Sequence, residues 1–526
     1  MSKPISVIDL FAGPGGLGEG FSSYVNRRGI SPFRTAISIE KEESAHATLQ
    51  LRAFYRQFAR GQAPHEYYDF LRGKLGRSPE EELYRLSRFK SEVAAARAEA
   101  RCLTLGEHDD EINRALDGAL RRGEDSILIG GPPCQAYSIV GRSRRMGEPD
   151  YVPENDGRNF LYQQYLRVIA RCRPAAFIME NVKGMLSAQV DGSRVFERIL
   201  EDLQHPWADA RRRGPAYKIF SLTAPRADAE AGAVAPSDYI VRMEQFGVPQ
   251  ARHRVLLFGV REDIAANWHD GLVLSPEEAP TVRDVIGNLP ALRSGLSKGE
   301  DSKQSWFDAI AGLRSGLAEI KDFGGRELAD AVRGSIKAAE ATPSSRGFNF
   351  SPERLSGSVF GRKQASMRSW FEDPAANALL CNHESRGHMA GDLRRYLFCA
   401  TWAQIAEEGR LGSPFPRPAD YPASLVPDHD NFHTGHFADR FRVQLADRFA
   451  TTVTSHISKD GHYFIHYDPA QCRSLTVREA ARIQTFPDNY FFLGNRTQQY
   501  VQVGNAVPPF LARQVAELVA KLLKVE

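Results

Sequence analysis

Short apolar runs recur along the chain, and each one ends in residues of a different character. Val7-Ile8-Asp9-Leu10-Phe11 gives way to the glycine-rich Ala12-Gly13-Pro14-Gly15-Gly16-Leu17-Gly18, and Thr35-Ala36-Ile37-Ser38-Ile39 ends in Glu40. Ser126-Ile127-Leu128-Ile129 opens into Gly130-Gly131-Pro132-Pro133-Cys134, and Ala175-Ala176-Phe177-Ile178-Met179 closes on Glu180-Asn181-Val182. Gln250-Ala251-Arg252-His253-Arg254 precedes a further run, Val255-Leu256-Leu257-Phe258-Gly259. Runs of this length, bounded by turn residues, predict strands of a buried, largely parallel sheet. Leu161, Tyr165, Val168 and Ile169 recur at helical spacing before the fourth run, so strands and helices alternate in an α/β pattern. Ser78-Pro79-Glu80-Glu81, followed by Leu83, Leu86 and Val93, predicts a helix from its N-cap, first-turn proline and capping Glu. Further helices are expected over 392–408 and 510–523, and Thr476 with Glu479 forms a capping-box pattern that Pro487 later stops.

The chemistry gathers at the ends of these strands. Cys134 lies where a buried parallel strand would open into a ligand crevice, the place for a nucleophile. Two prolines fix the backbone before it, and two glycines allow a planar substrate to approach closely. Taken alone, the segment is also compatible with a proline-rich turn holding a structural Cys. The first turn lacks a Gly-Lys-Ser/Thr ending, which argues against a phosphate-cradling loop and for a cofactor with an adenosine end but no pyrophosphate. Glu40 stands where the next strand would offer a ribose-diol acceptor, with a surface helix cap as the alternative. Glu180 puts a carboxyl on the same edge as Cys134. Arg252 and Arg254 alternate on an extended segment and so point the same way.

Together with the tail Gln502-Val503-Gly504-Asn505-Ala506-Val507-Pro508-Pro509 and the long segment from Cys472 to Asp488, this ordered set resembles the cytosine-5 DNA methyltransferase family, of the bacterial restriction-modification type. The resemblance covers 5–21, 125–182, 245–261 and 444–519. It implies a Rossmann-like S-adenosylmethionine-dependent methyltransferase sheet with a second, smaller DNA-recognition domain. It further implies methylation of carbon 5 of cytosine in a specific double-stranded DNA sequence, by base flipping and a covalent Cys adduct. Cys134 would attack carbon 6, Glu180 would meet ring nitrogen 3 and the exocyclic amine, and Arg252, with Arg254 beside it, would stabilise the oxygen-2 side. Phe11 would pack on the adenine, Gly13, Gly15 and Gly16 would make room for the methionine end, and Glu40 would take the ribose hydroxyls. Asn505 would approach the methionine portion, and Asp9, Leu17, Pro132 and Val507 complete the implied S-adenosyl-L-methionine site. Glu107 or Asp109 is the candidate for the acidic adenine contact. Gln135, Ser138, Arg142, Arg144 and Arg145, in and after the nucleophile loop, would touch DNA, although a solvated basic loop is the plain alternative for the three arginines.

The expected organisation is a catalytic domain over 1–261, carrying a helical insertion at about 45–120, a target-recognition domain over 262–445, and a tail over 446–526 that returns to the catalytic domain, with DNA between the lobes. The insertion reads as a helical hairpin or small lobe. Cys381, His383, His388 and Cys399 lack a tight Cys-x-x-Cys pair, and His429, His433 and His436 read as a polar loop, so no metal is expected. The 526 residues carry a formal net charge of only +3, so DNA affinity has to come from local arginine clusters. Six scattered Cys suggest a reducing cytoplasm, and no apolar span reaches membrane length; the expected location is cytoplasmic and nucleoid-associated, with no membrane partner. A cognate restriction endonuclease or defence-system component is the expected partner. Two rival readings remain: a tRNA cytosine-5 methyltransferase, and a catalytically silent DNA-binding protein.

Overall fold

The computed structural model describes residues 3–121, 123–133, 159–190, 193–207, 214–224, 234–352, 369–373, 379–427 and 440–526. The chain divides into two compact units, the first made of Met1–Ala63, Ser78–Ala279 and Ala506–Glu526, the second of Pro64–Arg77 and Pro280–Asn505.

The first unit is built on an eight-stranded sheet. Its strands are β1 (Ile5–Leu10), β2 (Phe33–Glu40), β3 (Ala100–Cys102), β4 (Ser126–Gly130), β5 (Ala176–Val182), β6 (Tyr217–Phe220), β7 (Ile240–Arg242) and β8 (His253–Arg261). They lie in the order β3-β2-β1-β4-β5-β8-β6, with β7 also paired to β8. The first five are mutually parallel, and β8 runs antiparallel to β5, β6 and β7. The helices of this unit include α1 (Gly16–Ser23), α2 (Glu43–Tyr55), α4 (Lys90–Glu99), α5 (Asp109–Ala119), α6 (Asn159–Cys172) and α7 (Val195–Gln204); α3 (His65–Leu71), between α2 and α4 in the chain, belongs to the second unit.

Alternation along the strands explains the layering. Val7, Ile127, Ile129, Ile178, Leu256 and Phe258 join one core with Leu17 and Phe21 of α1 and with Leu511, Val515 and Val519 of the C-terminal helix Pro509–Leu522. Their neighbours Ile8, Leu10, Leu128, Phe177, Met179 and Leu257 join a second core with Ile112, Tyr165, Ile169, Phe196 and Ile199. Both faces of the sheet are therefore covered, which is why its central strands read as continuous apolar runs. Gly20 lets α1 and the C-terminal helix close up, since a Cβ there would lie 2.3 Å from that of Ala512.

The stretch expected as a helical insertion at about 45–120 is mostly regular sheet architecture: α2, α4, β3 and α5 all belong to the first unit. Ser78 does not start a helix. Residues 79–85 form turns and α4 begins at Lys90, because Glu80 is spent on tertiary ties to Gln50 (2.8 Å) and Arg97 (2.5 Å). Pro64–Arg77 is instead part of the second unit. There α3 buries Tyr67, Phe70 and Leu71, the Tyr68 hydroxyl donates to Asp373 at 3.0 Å, and the Phe70 ring meets Phe350 and Phe491 edge-on.

The second unit is loop-rich, with helices Lys303–Ala311, Leu317–Glu340 and Ala390–Glu407 around Trp306, Val332, Leu397 and Phe398. It extends to Asn505, past the expected return at 446, because helix Val477–Ile483 and its flanks are anchored in it by three buried arginines. Arg473 makes a paired contact with Glu479 at 2.6 and 2.7 Å, and Arg478 donates to the carbonyls of Cys381, Pro487 and Tyr490. Arg482 pairs with Asp488 at 2.8 and 2.7 Å and reaches the Val285 carbonyl. Such charges tolerate burial only when geometry and hydrogen bonding are nearly complete. The expected capping box of Thr476 and Glu479 is formed.

Removing the α3 ring should be felt in this core. Phe70→Ala is expected to lower the denaturation free energy of the second unit by about 3–5 kcal/mol. An unchanged unfolding profile would mean that α3 is not part of that core.

Candidate active site

The sheet order reverses between β1 and β4, and the edge outside their C-terminal ends is the general place for ligands in such sheets. Register brings the strand ends level. Leu10 pairs with Ile39 and with Gly130, and Gly130 pairs with Met179. Phe11, Glu40, Gly131 and Glu180, each the next residue, or nearly so, at its strand end, are thereby gathered on one edge.

On the β1 side, the chain turns through Phe11 (φ 55°) and Gly13 (φ 56°) to Gly15 (φ 98°), which caps α1. Glu40 holds this turn: its Oε2 accepts from the Gly13 N–H at 2.8 Å, while Oε1 accepts from Glu42 N–H at 2.8 Å. A carboxylate has capacity for further donors beyond these two. A Cβ on Gly13 would meet nothing within 4 Å, so the turn has open space beside it. A Cβ on Gly16 would lie 2.2 Å from the Val507 carbonyl oxygen, which fixes where the C-terminal segment crosses α1. Leu17 faces the core, and Asn505 is an exposed residue at the end of helix Arg496–Asn505 in the second unit.

Asp9 lies beneath the turn. It is 1% exposed, and a Cβ on Gly18 would fall 2.9 Å from its Oδ2. Burial pushes its pKa up to about 8, against the opposing pull of Arg56 and the Gly18 backbone. The loop 103–108, with Glu107, leaves β3 beside Glu40, whose register partner is Cys102. Asp109 accepts from the Gly106 N–H at 2.8 Å.

On the other side, Glu180 lies against the start of the Gly131-Pro132-Pro133 segment: a Cβ on Gly131 would be 2.9 Å from Glu180 Oε2. Arg254 Nε holds Glu180 Oε1 at 3.0 Å, with both side chains mostly buried. Arg252 is 1% exposed; burial, and next the neighbouring Arg254, pull its pKa well down, with Glu180 acting in the opposite sense. Asn181, which the sequence reading quoted without a role, donates from Nδ2 to the Pro132 carbonyl at 3.2 Å and pins that turn. Its signal was only its place beside Glu180. His253, between the two arginines, is 2.7 Å from Glu244. Cys134, Gln135, Ser138, Arg142, Arg144 and Arg145 lie outside the described residues, as do His429, His433 and His436.

Cys381, His383, His388 and Cys399 are each engaged separately: with the Leu71 carbonyl, with Thr476 and Pro290, with Ser474 and Tyr396, and with the Tyr421 hydroxyl. Among the described residues no group of three or more His, Cys, Asp or Glu side chains is placed to hold a metal, and no helix is long and apolar enough to cross a membrane.

The family of C-5 cytosine-specific DNA methylases matches residues 105–206 and 403–521. M.Bpa9945I, a type II methyltransferase of Bacillus paralicheniformis, is 32% identical over 98% of this chain and 99% of its own length. M.AgeI, a type II methyltransferase of Thalassovita gelatinovora, is 28% identical over 76% of this chain and 83% of its own. M.ApeKI, a DNA (cytosine-5-)-methyltransferase of Aeropyrum pernix, is 26% identical over 76% and 81%. A crystal structure of a prophage-encoded E. coli protein, described as a DNA modification methyltransferase, covers 99% of both chains with a TM-score of 0.51 at 18% identity and shares the fold. The sheet is thus that of an α/β methyltransferase, a class whose methyl donor is S-adenosylmethionine. The chain belongs to the C-5 cytosine-specific DNA methylase family and is a DNA (cytosine-5-)-methyltransferase with relatives in type II restriction-modification.

The state of Asp9 sets a stability trend. Below its ordinary pKa of 3.8 both folded and unfolded chains hold the proton; from there to about 8 only the folded chain keeps it, so this group's stabilisation is lost as pH rises through that window. Asp9→Asn should therefore flatten the fall in urea-denaturation free energy between pH 5 and pH 8. A pH dependence unchanged by the substitution would contradict a protonated Asp9.

Proposed function

We propose that the edge formed by Glu40, Gly131, Glu180 and Arg252 binds S-adenosyl-L-methionine and a flipped cytosine side by side, and that Cys134 is the nucleophile. The observation that carries this reading is Glu180 lying against Gly131, three residues before Cys134 and clamped by Arg254. The open space at Gly13, the glycine turn and the Glu40 carboxylate suit a ligand with a ribose diol and a small amino-acid end. Phe11 would pack on adenine, Gly15 and Gly16 would pass close to the methionine end with Val507 and Pro132 around it, and Asp9 would support the turn from below. Glu107 or Asp109 would reach the adenine amine. When bound, S-adenosylmethionine supplies an electrophilic methyl group on a sulfonium.

Carbon 5 of cytosine is a weak nucleophile, so the ring must first be activated. The Cys134 thiolate forms a bond to carbon 6, and the displaced electron pair moves onto nitrogen 3 and oxygen 2. A free thiol is only a small fraction thiolate at neutral pH, with a reference pKa of about 8.5, so basic neighbours in the loop assist. Glu180 accepts from the exocyclic amine and relays a proton from water to nitrogen 3 as that charge develops. Arg252, buried beside Arg254, offsets the negative charge that develops at oxygen 2. Carbon 5, now enamine-like, takes the methyl group; loss of its proton and expulsion of Cys134 as thiolate restore aromaticity.

In a duplex the base is stacked, so it must be extruded at a cost of a few kcal/mol. Gln135, Ser138, Arg142, Arg144 and Arg145 are assigned to the DNA side of that step. The second unit chooses the target sequence. Its likeness to type II methyltransferases suits a role in protecting host DNA, which we place in the cytoplasm beside a cognate restriction endonuclease or defence component.

Cys134→Ser should abolish turnover while DNA and cofactor binding persist, and Glu180→Gln should slow the reaction by about 10²–10⁴-fold. Base-resolution methylation mapping of plasmid DNA from cells expressing each chain reads both. Methylation in one short context, lost in Cys134→Ser, is expected; methylation by that variant would overturn the assigned nucleophile. Exchanging 280–445 for the counterpart of a relative with different specificity should move the site, and an unchanged site would place recognition elsewhere.

A further inference from the structure

Beneath the glycine turn, α1 and α2 are joined by charge. Glu19, in the first turn of α1, is 4% exposed, and Arg52 of α2 is 5% exposed. Arg52 grips the carboxylate with two parallel bonds, Nε to Oε2 at 2.8 Å and Nη2 to Oε1 at 2.5 Å. Arg56, one helical turn on, places Nη1 3.7 Å from Glu19 Oε2 and pairs through Nη2 with Glu99, the last residue of α4. The Arg52 guanidinium also covers the Tyr55 ring at 4.1 Å from its centroid. Burial alone would lift the Glu19 carboxyl, yet Arg52, by charge and hydrogen bonding, and then Arg56 hold it below its ordinary value. Two acids and two arginines thus balance in a space that apolar side chains could have filled with equal or better stability. What the forked Arg–carboxylate pair adds is direction and distance.

Its position shows what that geometry controls. Glu19 N–H donates to the Gly15 carbonyl, so Glu19 is one turn from the glycine cap. Helix α2 starts at Glu43, directly after the Glu40–Glu42 contact that ends β2. The Glu40–Gly13 bond ties the two segments at the ligand-facing end, and the Arg52–Glu19 pair ties α1, one turn past the glycine cap, to the third turn of α2. We propose that Arg52 and Glu19, backed by Arg56 and Glu99, are positioning residues for the cofactor: they hold the glycine turn at the separation from Glu40 that spans the methionine and ribose ends of S-adenosylmethionine. This rests on the reading of that turn as the cofactor site. None of the four need touch the ligand. The pair is 33 residues apart in the chain and local sequence gives no sign of it.

Calorimetric titration of the full chain with S-adenosylmethionine, alongside DNA-binding and steady-state measurements, tests the proposal. Arg52→Met should weaken cofactor binding about tenfold or more, with KM for the cofactor rising further than kcat falls and DNA affinity changing less than about twofold. The Glu19→Gln/Arg52→Met double variant, which leaves no uncompensated charge, should fold and bind more tightly than Arg52→Met alone, though not as tightly as the unaltered chain. Cofactor affinity in the double variant equal to that of the unaltered chain would overturn the positioning role. Parallel losses of cofactor binding, DNA binding and thermal stability would reduce the pair to a scaffold contact and also overturn it. Glu40→Gln separates the two levels: if it leaves cofactor binding intact, the site reading itself fails, whereas weakened binding there with an unaffected Arg52→Met defeats the positioning proposal alone.

Discussion

The row of paired residues Ile39, Leu10, Gly130 and Met179 is the constraint on which the site depends. Four parallel strands end level because each is buried on both faces, and a one-residue slip would turn every core side chain to the wrong layer. The chain must leave all four strands at the same edge. It leaves with a glycine turn, a carboxylate, Gly131-Pro132-Pro133 and a second carboxylate, in that spatial neighbourhood. Gly130 has no room for a side chain, since a Cβ would lie 2.5 Å from the Leu10 carbonyl. Hydrophobic register is therefore what sets the Glu40 side of the edge next to the Glu180 side, and the polar residues refine a placement that the core has already made.

Charges then do the fine positioning, and they do so while mostly buried. Arg254 holds Glu180, Glu40 holds the Gly13 amide, and Arg52 holds Glu19, each across a junction between separate elements. The second unit uses the same device through Arg473, Arg478 and Arg482. A guanidinium can satisfy several carbonyls or a carboxylate at fixed angles, which suits irregular backbone that has no ladder of its own. That is the condition of the loop-rich chain around helix Val477–Ile483.

Much of this was legible in the sequence. The apolar runs located β1, β2, β4, β5 and β8, and their terminal residues located the candidate site, because strand burial and edge chemistry are both written locally. The 477–483 helix was legible from Thr476 and Glu479, whose capping contacts involve residues three apart. What failed was non-local. Ala100–Cys102 is too short to announce a strand, so a stretch of ordinary sheet architecture looked like an insertion. Ser78-Pro79-Glu80-Glu81 has the grammar of a helix start, but Glu80 bonds to Gln50 and Arg97 instead. Nothing in Tyr67, Tyr68 and Phe70 says that their partners are more than 250 residues away, at Phe350, Asp373 and Phe491.

The central claim is that Cys134 adds to carbon 6 of a cytosine held by Glu180 and Arg252. It is tested most directly with a duplex carrying 5-fluorocytosine at the enzyme's own target position. Fluorine cannot leave carbon 5 as the proton does, so after methyl transfer the sulfur–carbon bond should persist. Mass spectrometry of the denatured complex should find the DNA bound covalently to the peptide containing Cys134, only when S-adenosylmethionine is supplied. A covalent bond at any other residue, or an active enzyme that forms none, would contradict the account.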